Sequence, residues 1–444
     1  MKTQRVAISR RDFLIGTAAA GAGLSLGLSL PFGPRNALAA AGTPEVNAWV
    51  VIEPDDTVII RIARSEMGQG TLTGLAQLVA EELECDWTKV KTEYPTPGQS
   101  LARNRVWGSF STGGSQGIRG SHQYVREGGA LARVLLVEAA AEAWGVPMEE
   151  CAAANSVITH RPTGRTARYG SVAAAAARLV PPLQVELKDP QDWRLAGKPL
   201  KRLDTVEKLT GQQLFGADLQ LPGMLNAAIR ACPVFGGTLA AFDADAVSDR
   251  PGVRSVVRVG EDAVAVVADT WWQAKTALDA LPVTWDEGPN VGVSSASIAQ
   301  WLAEGLTADD AFVGNQSGDA KAALRGAAKT VEAVYAYPYQ NHATMEPMNA
   351  TARWTADRCE VWCPTQNGEA ALQAAAEAAG LPAAQCEVYK IHLGGGFGRR
   401  GAFHDFVRQA VAIARQMPGT PVKLLWTREE DMLHGAYHPT TQAR

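Results

Sequence analysis

The stretch GGGFG at residues 394–398 says most about the fold of this chain. It follows EVYKIHL at 387–393, whose alternating apolar residues predict a strand, and it precedes a predicted helix that begins near Ala402. Glycine lets the backbone turn sharply and approach a ligand closely. Free N–H groups at a helix start favour an oxygen-rich or anionic ligand, and Arg399 and Arg400 add charges suited to phosphate-like oxygens. We therefore predict a ligand-binding strand–loop–helix unit, with a purely structural turn as the alternative.

The same loop also contains the spacing of a dinucleotide-binding fingerprint. Gly396-x-Gly398-x-x-Gly401 lies between a predicted strand and a predicted helix, and another predicted strand follows. The carboxylates that could bind a ribose, Glu429 and Glu430, come about 30 residues later, whereas the fingerprint places one about 20 residues on. A flavin- or nicotinamide-dependent oxidoreductase therefore stays open as a disfavoured alternative.

Composition narrows the class of protein. The chain has 444 residues, of which 46% are hydrophobic and 20% charged, as in globular proteins with two or three domains. Its formal net charge of −4 gives no support for binding to nucleic acid or to an anionic membrane surface. The six cysteines include no C-x-x-C pair, so we expect neither an iron–sulfur cluster nor a zinc site in this chain. Cys359 and Cys363 are predicted to pack on one face of a strand.

The N-terminus has the pattern of a twin-arginine export signal. SRRDFL at 9–14 precedes a weakly apolar stretch at 15–30, and ALA at 37–39 supplies a small-residue cleavage site. The stretch is too rich in glycine and serine for a membrane span. We therefore expect a signal peptide at 1–39, a mature chain from about Ala40, and a periplasmic protein exported after folding around a cofactor. A tightly folded exported protein without a cofactor is the alternative.

The rest of the chain divides into four parts with an α+β pattern. We expect a first segment at 40–185, a proline-marked linker at 186–202, an α+β module at 203–290 and a last segment at 291–444. The chain stops just after a strand, with no closing element, which predicts that it is a truncated, N-terminal fragment. Hydrophobic periodicity predicts strands at 47–53, 57–64, 224–231, 253–259, 263–268, 329–337, 360–363, 387–393 and 422–426, and helices at 71–84, 121–144, 270–281, 369–379 and 402–416.

Four further segments carry residue types suited to an oxygen-rich ligand. EMGQG at 66–70 places an amide between two glycines before a helix, and GSFSTGGSQG at 108–117 concentrates hydroxyls and glycines before a longer helix. TQ at 365–366 adds a second amide after a strand, and HATMEP at 342–347 follows another strand. On these residues alone, each segment is also compatible with a structural turn or a flexible loop.

Taken together, these segments resemble the molybdenum-binding subunit of the xanthine dehydrogenase/aldehyde oxidase family, and within it the exported isoquinoline 1-oxidoreductase β-subunit type. The resemblance implies an α/β hammerhead domain at 203–290 plus parts of the large molybdopterin-binding domains at 40–185 and 291–444, in a permuted order because EMGQG precedes the hammerhead. The matching motifs are GGGFG at 394–398, TQ at 365–366, HATMEP at 342–347, WTREED at 426–431, EMGQG at 66–70 and LPGML at 221–225.

The resemblance also implies a molybdopterin cofactor, in its cytosine dinucleotide form, whose metal has no protein ligand. Backbone groups of the GGGFG loop would line the molybdenum, and Gln366 would hydrogen-bond an oxo group of the metal. Gln69 and the 111–115 loop would hold the pterin and its phosphate tail. The implied cofactor-binding residues are Gln69, Gly70, Ser111, Thr112, Gly113, Ser115, Gln366, Gly395, Gly396, Phe397, Gly398 and Arg399.

Family members hydroxylate a carbon next to a heteroatom or oxidise an aldehyde, with oxygen from water and a glutamate as base. That glutamate lies in a Gly-Val-Gly-Glu-like motif near the family's C-terminus, and this sequence contains no such motif. We therefore place the base beyond Arg444, assign none of Glu66, Glu346 or Glu429 to its role, and expect this fragment to be inactive by itself. Purine-oxidising relatives carry an acidic residue soon after GGGFG, where this chain reads RRG, so a xanthine-type substrate is not expected.

A molybdenum centre must pass electrons onward after each turnover, which implies partner proteins. The chain has no iron–sulfur or haem motif, so the resemblance implies a separate small subunit with two [2Fe-2S] clusters and a cytochrome c as acceptor. The non-enzymatic alternative is an exported binding or scaffold protein, which leaves the glycine loops unexplained.

Overall fold

A computed structural model describes residues 44–310 and 312–444, so the predicted export signal lies outside the described residues. The described chain mixes helices and strands, in agreement with the predicted class. Its strands are β1 Val50–Ile52, β2 Val58–Arg61, β3 Val90–Glu93, β4 Cys151–Ala154, β5 Val157–His160, β6 Thr166–Arg168, β7 Leu225–Ala231, β8 Thr238–Phe242, β9 Val253–Val259, β10 Ala263–Ala268, β11 Val283–Asp286, β12 Tyr335–Tyr337, β13 Asn349–Trp354, β14 Cys359–Cys363, β15 Cys386–Lys390, β16 Val422–Leu425 and β17 Thr441–Ala443. Its α-helices are Thr71–Leu83, Pro97–Ala102, Gln116–Arg119, His122–Trp144, Tyr169–Ala176, Thr205–Thr210, Asp245–Ser248, Trp271–Ala280, Ser295–Gly305, Ala320–Gly326, Gly368–Ala379, Arg399–Ala402, Asp405–Ala414 and Arg428–Leu433.

Two helices pack closely in the N-terminal region. The predicted helices at 71–84 and 121–144 are confirmed as Thr71–Leu83 and His122–Trp144. They cross at Gly129, where a Cβ would lie 2.4 Å from the carbonyl oxygen of Val79, so only glycine permits this approach. The strands predicted at 47–53 and 57–64 form the antiparallel pair β1 and β2, and β3 joins β2 in parallel. These elements share one buried apolar core.

A seven-stranded sheet organises the rest of the described chain. Its order is β15-β14-β13-β16-β7-β10-β9. Alternate residues of β10 enter different cores: Ala263, Ala265 and Val267 pack on one face, and Val264, Val266 and Ala268 on the other. Helices Gly368–Ala379 and Asp405–Ala414 cover the first face, and helix Trp271–Ala280 covers part of the second. Cys359 and Cys363 are fully buried on the first face, which confirms them as packing residues.

The predicted module at 203–290 shares this sheet. Its strands and helix form close to the predicted positions, as β7, β9, β10 and helix Trp271–Ala280. However, β7 also pairs in parallel with β16, through Leu225 opposite Val422. Backbone hydrogen bonds therefore continue from the module into the last segment, a pairing between distant residues that periodicity does not reveal.

Two predicted elements near the site are wrong in extent. The helix expected at 402–416 begins earlier, at Arg399, stops at Ala402 and resumes at Asp405. The strand expected at 329–337 is confined to Tyr335–Tyr337. Its edge pairs only with β17, and Val331 and Val334 are exposed at 86% and 56%, so the apolar pattern there has no core to enter in the described chain.

The segment predicted as a linker is bound along the N-terminal helix. The carboxylate of Glu81, on helix Thr71–Leu83, accepts N–H bonds from Arg194 at 2.9 Å and Ala196 at 3.0 Å. Glu82 accepts from the N–H of Lys188 at 3.0 Å. Acidic side chains of the helix thus satisfy the extended backbone, which the prolines alone did not predict.

No helix in the described part of the chain is long and apolar enough to cross a membrane. All six cysteines are buried and unpaired. Among residues 44–310 and 312–444, no group of three or more histidine, cysteine, aspartate or glutamate side chains is arranged to hold a metal ion.

Candidate functional site

Three loops that are far apart in sequence meet at Gly396. A Cβ placed on this buried residue would lie 2.5 Å from Oε1 of Gln366 and 2.8 Å from Sδ of Met67. Real Cβ atoms do not approach other atoms so closely, so the contact requires glycine at 396. The structure therefore brings together the predicted loops GGGFG, TQ and EMGQG.

Gln366 connects these loops to the Ser/Gly loop. Its side chain is almost fully buried, with Nε2 donating to the carbonyl of Thr112 at 2.9 Å and Oε1 accepting from the N–H of Gly398 at 2.9 Å. The N–H of Thr112 donates in return to the Gln366 carbonyl at 2.7 Å. A primary amide has a second N–H and a second lone pair, so Gln366 retains capacity for a ligand. Its contact with a metal oxo group stays a prediction.

A buried carboxylate holds the EMGQG loop in place. Glu66 is 1% exposed and accepts N–H bonds from Gly68 at 2.8 Å, Gly70 at 3.0 Å and Leu72 at 3.0 Å. Arg202 donates to the same carboxylate at 3.0 Å and to the Gly68 carbonyl at 2.8 Å. Because every one of these bonds fixes backbone or a cation, the geometry gives Glu66 a supporting role in the loop.

The outer loops present glycine backbone and hydroxyl groups to open space. A Cβ built on Gly68, Gly113 or Gly114 would meet no atom within 4 Å. Thr112 is buried, and its hydroxyl accepts from the N–H of Ser65 at 2.9 Å. The predicted residues that are exposed here are Gln69, Ser111, Gly113 and Ser115, while Gly70 is half-buried.

The GGGFG loop follows an unusual backbone path. Gly395 and Gly398 have φ values of +97° and +103°, and Phe397 has φ +54°, which is uncommon for a residue with a side chain. The Phe397 ring is 66% exposed beside this turn. Strained backbone of this kind is concentrated at ligand sites, where surrounding contacts hold it.

Arg399 and Arg400 turn their charges inwards. The Arg399 guanidinium donates to both oxygens of Asp405, at 3.0 Å and 2.8 Å, and lies over the ring of Trp426. The Arg400 guanidinium is fully buried and faces Glu346. Both arginines were expected to meet phosphate-like oxygens, whereas in the described chain each has a carboxylate partner. A contact between Arg399 and a cofactor stays a prediction.

Two bases with lowered pKa values, one buried and one partly buried, lie at the end of β15 and in the residues that lead into the loop. Burial lowers the pKa of Lys390 to about 7, and its ammonium group lies 4.4 Å from the ring centroid of Tyr94 and donates to the carbonyl of Ala63. Burial also lowers the pKa of His392 to about 4, so its imidazole is neutral at pH 7. The approach to the loop therefore carries less positive charge than the sequence indicates.

Two residues outside the predicted motifs tie the loops together. The hydroxyl of Ser65 donates to the Thr365 carbonyl at 2.7 Å, and Arg64 donates to the Ser121 hydroxyl at 2.9 Å and to the Ser111 carbonyl. Their position in the loop between β2 and EMGQG was an available signal, because functional residues lie disproportionately on loops.

The donor set fits a large, oxygen-rich organic ligand. It consists of loop backbone, one shared amide and exposed hydroxyl groups. These groups come from four segments between residues 65 and 401, which contact one another at Gln366 and Gly396. Such a set can bind phosphate and pterin-type oxygens and amides without a charged side chain.

Comparison with known proteins agrees with this reading. Two family descriptions match the chain, each a molybdopterin cofactor-binding domain, over residues 4–206 and 306–444. The isoquinoline 1-oxidoreductase subunit beta of Brevundimonas diminuta is 30% identical over 99% of this chain and 62% of its own length. This chain belongs to the molybdopterin-binding subunits of the xanthine dehydrogenase/aldehyde oxidase family. It spans about 60% of the length of the curated relatives it matches.

Further relatives of this molybdopterin-binding chain are more distant. A protein of Gluconacetobacter polyoxogenes named membrane-bound aldehyde dehydrogenase [pyrroloquinoline-quinone] is 29% identical over 99% of this chain and 58% of its own length. Among solved structures, quinoline 2-oxidoreductase from Pseudomonas putida 86 is 21% identical, covers 55% of this chain and 36% of its own, and has a TM-score of 0.46.

Proposed function

We propose that this chain is the molybdopterin-binding part of a molybdenum-dependent oxidoreductase. The reaction is hydroxylation of a carbon in an N-heteroaromatic ring or oxidation of an aldehyde. The observation that carries the proposal is the meeting of the GGGFG, TQ and EMGQG loops at Gly396, in a chain that matches two molybdopterin cofactor-binding domains. The names of the two curated relatives quoted above support these substrate classes.

Each loop has a part in holding the cofactor. Backbone groups of residues 395–398 and the amide of Gln366 would face the metal end. Gln69, Gly70 and the loop from Ser111 to Ser115 would hold the pterin and a cytosine nucleotide tail, which the exposure of Gln69, Ser111, Gly113 and Ser115 supports. When bound, the cofactor would supply the two-electron oxidation of the substrate, with water as the oxygen source.

The catalytic base in this proposal lies outside the 444 residues. Glu66 and Glu346 are buried, and their carboxylates accept backbone N–H bonds from Gly68 and Gly394, among others. A base must be free to take a proton from the reacting group, so these two residues are better suited to support the loops. We therefore propose that the chain by itself is inactive and that the complete gene product supplies the base.

Electron transfer and location complete the proposal. We assign the acceptor to a separate small subunit with [2Fe-2S] clusters, followed by a cytochrome c. The twin arginines at 10–11 support export of the folded, cofactor-loaded protein to the periplasm.

The dinucleotide-binding alternative is less compatible with the loop. A fingerprint loop opens a helix whose N-terminus faces the pyrophosphate. Here the helix after the loop, Arg399–Ala402, has only four residues, and Gly396 is packed against Gln366 and Met67. The second alternative, an exported binding protein without activity, does not explain why these loops converge.

Molybdenum per polypeptide, measured by elemental mass spectrometry on the complete gene product from the native host, tests the proposal. We expect a value of about one, together with release of a pterin nucleotide on denaturation. Well-folded protein without molybdenum would overturn it. In that case mass spectrometry of the released small molecules would identify a flavin, a nicotinamide or a quinone such as the one in the name of the Gluconacetobacter relative.

A further inference from the structure

A buried ion pair, Glu346 and Arg400, lies directly behind the GGGFG loop. The Arg400 side chain is 0% exposed and that of Glu346 is 6% exposed, with 3.3 Å between Nη2 and Oε2. Burial of two charges is costly unless each is paired and its remaining hydrogen-bonding groups are satisfied. Such a pair, next to a predicted cofactor loop, calls for a functional or structural reason.

Arg400 connects three separate segments of the site. Its Nε donates to the Gly395 carbonyl at 3.2 Å, and Nη1 donates to the Pro364 carbonyl at 3.3 Å. Nη2 donates to the backbone carbonyl of Glu346 at 2.6 Å and to that of Pro347 at 3.2 Å. One guanidinium therefore fixes the distances between the GGGFG loop, the residue before Thr365, and the HATMEP segment.

The carboxylate of Glu346 accepts four hydrogen bonds. Oε2 accepts from the N–H of Gly394 at 2.9 Å as well as from Arg400. Oε1 accepts from the N–H of Ala217 at 3.0 Å and from Nδ2 of Asn349 at 3.0 Å. The backbone of Glu346 also pairs with Gly394, whose missing Cβ would lie 2.3 Å from the Glu346 Cβ.

The effect of the pair extends to the cofactor-facing amide. The backbone carbonyl of Arg400 accepts from the N–H of Gln366 at 3.0 Å. Gln366 in turn holds the N–H of Gly398. A displacement of Arg400 would therefore move both ends of the loop and the amide between them.

We propose that Glu346 and Arg400 are positioning residues, which hold the GGGFG loop and Gln366 in the geometry that retains the cofactor. They touch no reacting group. This inference rests on the proposed function for the identity of the cofactor, whereas the positioning itself is a property of the loop.

The test uses Glu346→Gln in the complete gene product with its partner subunits. This variant keeps the volume of the side chain and removes the charge that Arg400 faces. The readout is residue-level amide hydrogen exchange at Gly398, which Glu346 does not contact directly, together with molybdenum content and the thermal unfolding midpoint. We expect Gly398 to exchange about tenfold faster and molybdenum content to decrease several-fold.

A matched control separates positioning from general stability. Glu82→Gln removes a carboxylate from the buried pair with Arg126, whose side chains are 0% and 9% exposed, in the N-terminal region. This variant should lower the unfolding midpoint while leaving exchange at Gly398 as in the wild type. If Glu346→Gln behaves in the same way, with a lower midpoint but unchanged exchange and molybdenum, the positioning role is overturned.

A second variant covers the case in which Glu346→Gln does not fold. Arg400→Lys keeps the charge but cannot reach three carbonyl groups at once. We expect it to fold, to show the same faster exchange at Gly398, and to retain less molybdenum. Wild-type exchange at Gly398 in Arg400→Lys would contradict the proposal. Wild-type protein without molybdenum, but with exchange at Gly398 that responds to both variants, would overturn the proposed function and leave the positioning role standing.

Discussion

At the scale of single residues, the site is built from buried charges that are satisfied by backbone groups. The carboxylate of Glu66 accepts three backbone N–H bonds at 2.8 to 3.0 Å. The carboxylate of Glu346 accepts from the N–H of Gly394, and the guanidinium of Arg400 donates to the backbone carbonyl of Glu346. A buried charge that loses its partner is strongly destabilising, so directional bonds to such residues hold a loop in one geometry.

Glu430 provides a prediction at this scale. It is 6% exposed on helix Arg428–Leu433 and accepts from the N–H of Ala231, in β7, at 2.8 Å. Burial raises its pKa from 4.5 to about 7. Because the folded state binds this proton more tightly than the unfolded state, the stabilisation is complete below about pH 4.5 and decreases as the pH rises through 7.

Glu430→Gln keeps the acceptor for Ala231 and removes the charge. We expect the variant to be more stable than the wild type at pH 8, by roughly 1–3 kcal/mol, and closely similar near pH 4. Urea unfolding at the two pH values measures this difference. Glu429→Gln, at the exposed neighbouring position, is the control and should change little at either pH. Equal effects of Glu430→Gln at both pH values would contradict the raised pKa.

At the scale of elements, glycine decides which loops can meet. Gly129 allows two helices to cross, and Gly396 allows three loops to converge. In both places a single methyl group would overlap a neighbouring atom, so the arrangement depends on an absent side chain. Cores tolerate added volume poorly because they are already close-packed.

Gly396→Ala tests the convergence of the loops. The new Cβ would lie 2.5 Å from Gln366 Oε1 and 2.8 Å from Met67 Sδ, so the Gln366 amide, which is hydrogen-bonded to Thr112 and Gly398, and the Met67 side chain must both shift. We expect a loss of about 1–3 kcal/mol in unfolding free energy and a several-fold decrease in molybdenum content. Gly305→Ala is the control, since a Cβ there meets nothing within 4 Å and helix Ser295–Gly305 should tolerate alanine. Wild-type molybdenum content in Gly396→Ala would show that the loops do not need this contact.

At the scale of the whole molecule, the site lies where the N-terminal region meets the seven-stranded sheet. Hydrogen bonds from Ser65 to Thr365 and between Thr112 and Gln366 cross this junction. Glu387, on the edge strand β15, adds bonds from the Thr96 hydroxyl at 2.6 Å and the Gly98 N–H at 3.0 Å. The two regions therefore should unfold together.

Glu387→Ala tests this coupling. Removing two partly buried acceptors across the junction should lower the unfolding free energy by about 2–4 kcal/mol. Pulse proteolysis with peptide mapping should show that both regions become susceptible at the same urea concentration. Glu377→Ala removes an exposed pair with Arg408 and should change stability by less than about 0.5 kcal/mol. Loss of protection in only one region of Glu387→Ala would contradict a single cooperative unit.

The sequence by itself determined the elements and the motifs. Strands such as Val253–Val259 and Ala263–Ala268, and the long helices, follow from hydrophobic periodicity because local burial dictates it. The GGGFG, TQ and EMGQG motifs carried the resemblance to the family, and the two matching molybdopterin cofactor-binding domains confirm that family, while the contacts of these loops with a cofactor stay a prediction.

Only the tertiary structure decided how these pieces act together. The pairing of β7 with β16, the inward direction of Arg399 and Arg400, and the support of the loops by Glu66 and Glu346 all depend on partners distant in sequence. An arginine in a sequence is able to bind an anion. The sequence does not show whether a carboxylate of the same chain already pairs with that arginine. The physical reason is that a charge removed from water must be paired with another group. The tertiary fold determines which group lies close enough to pair with it.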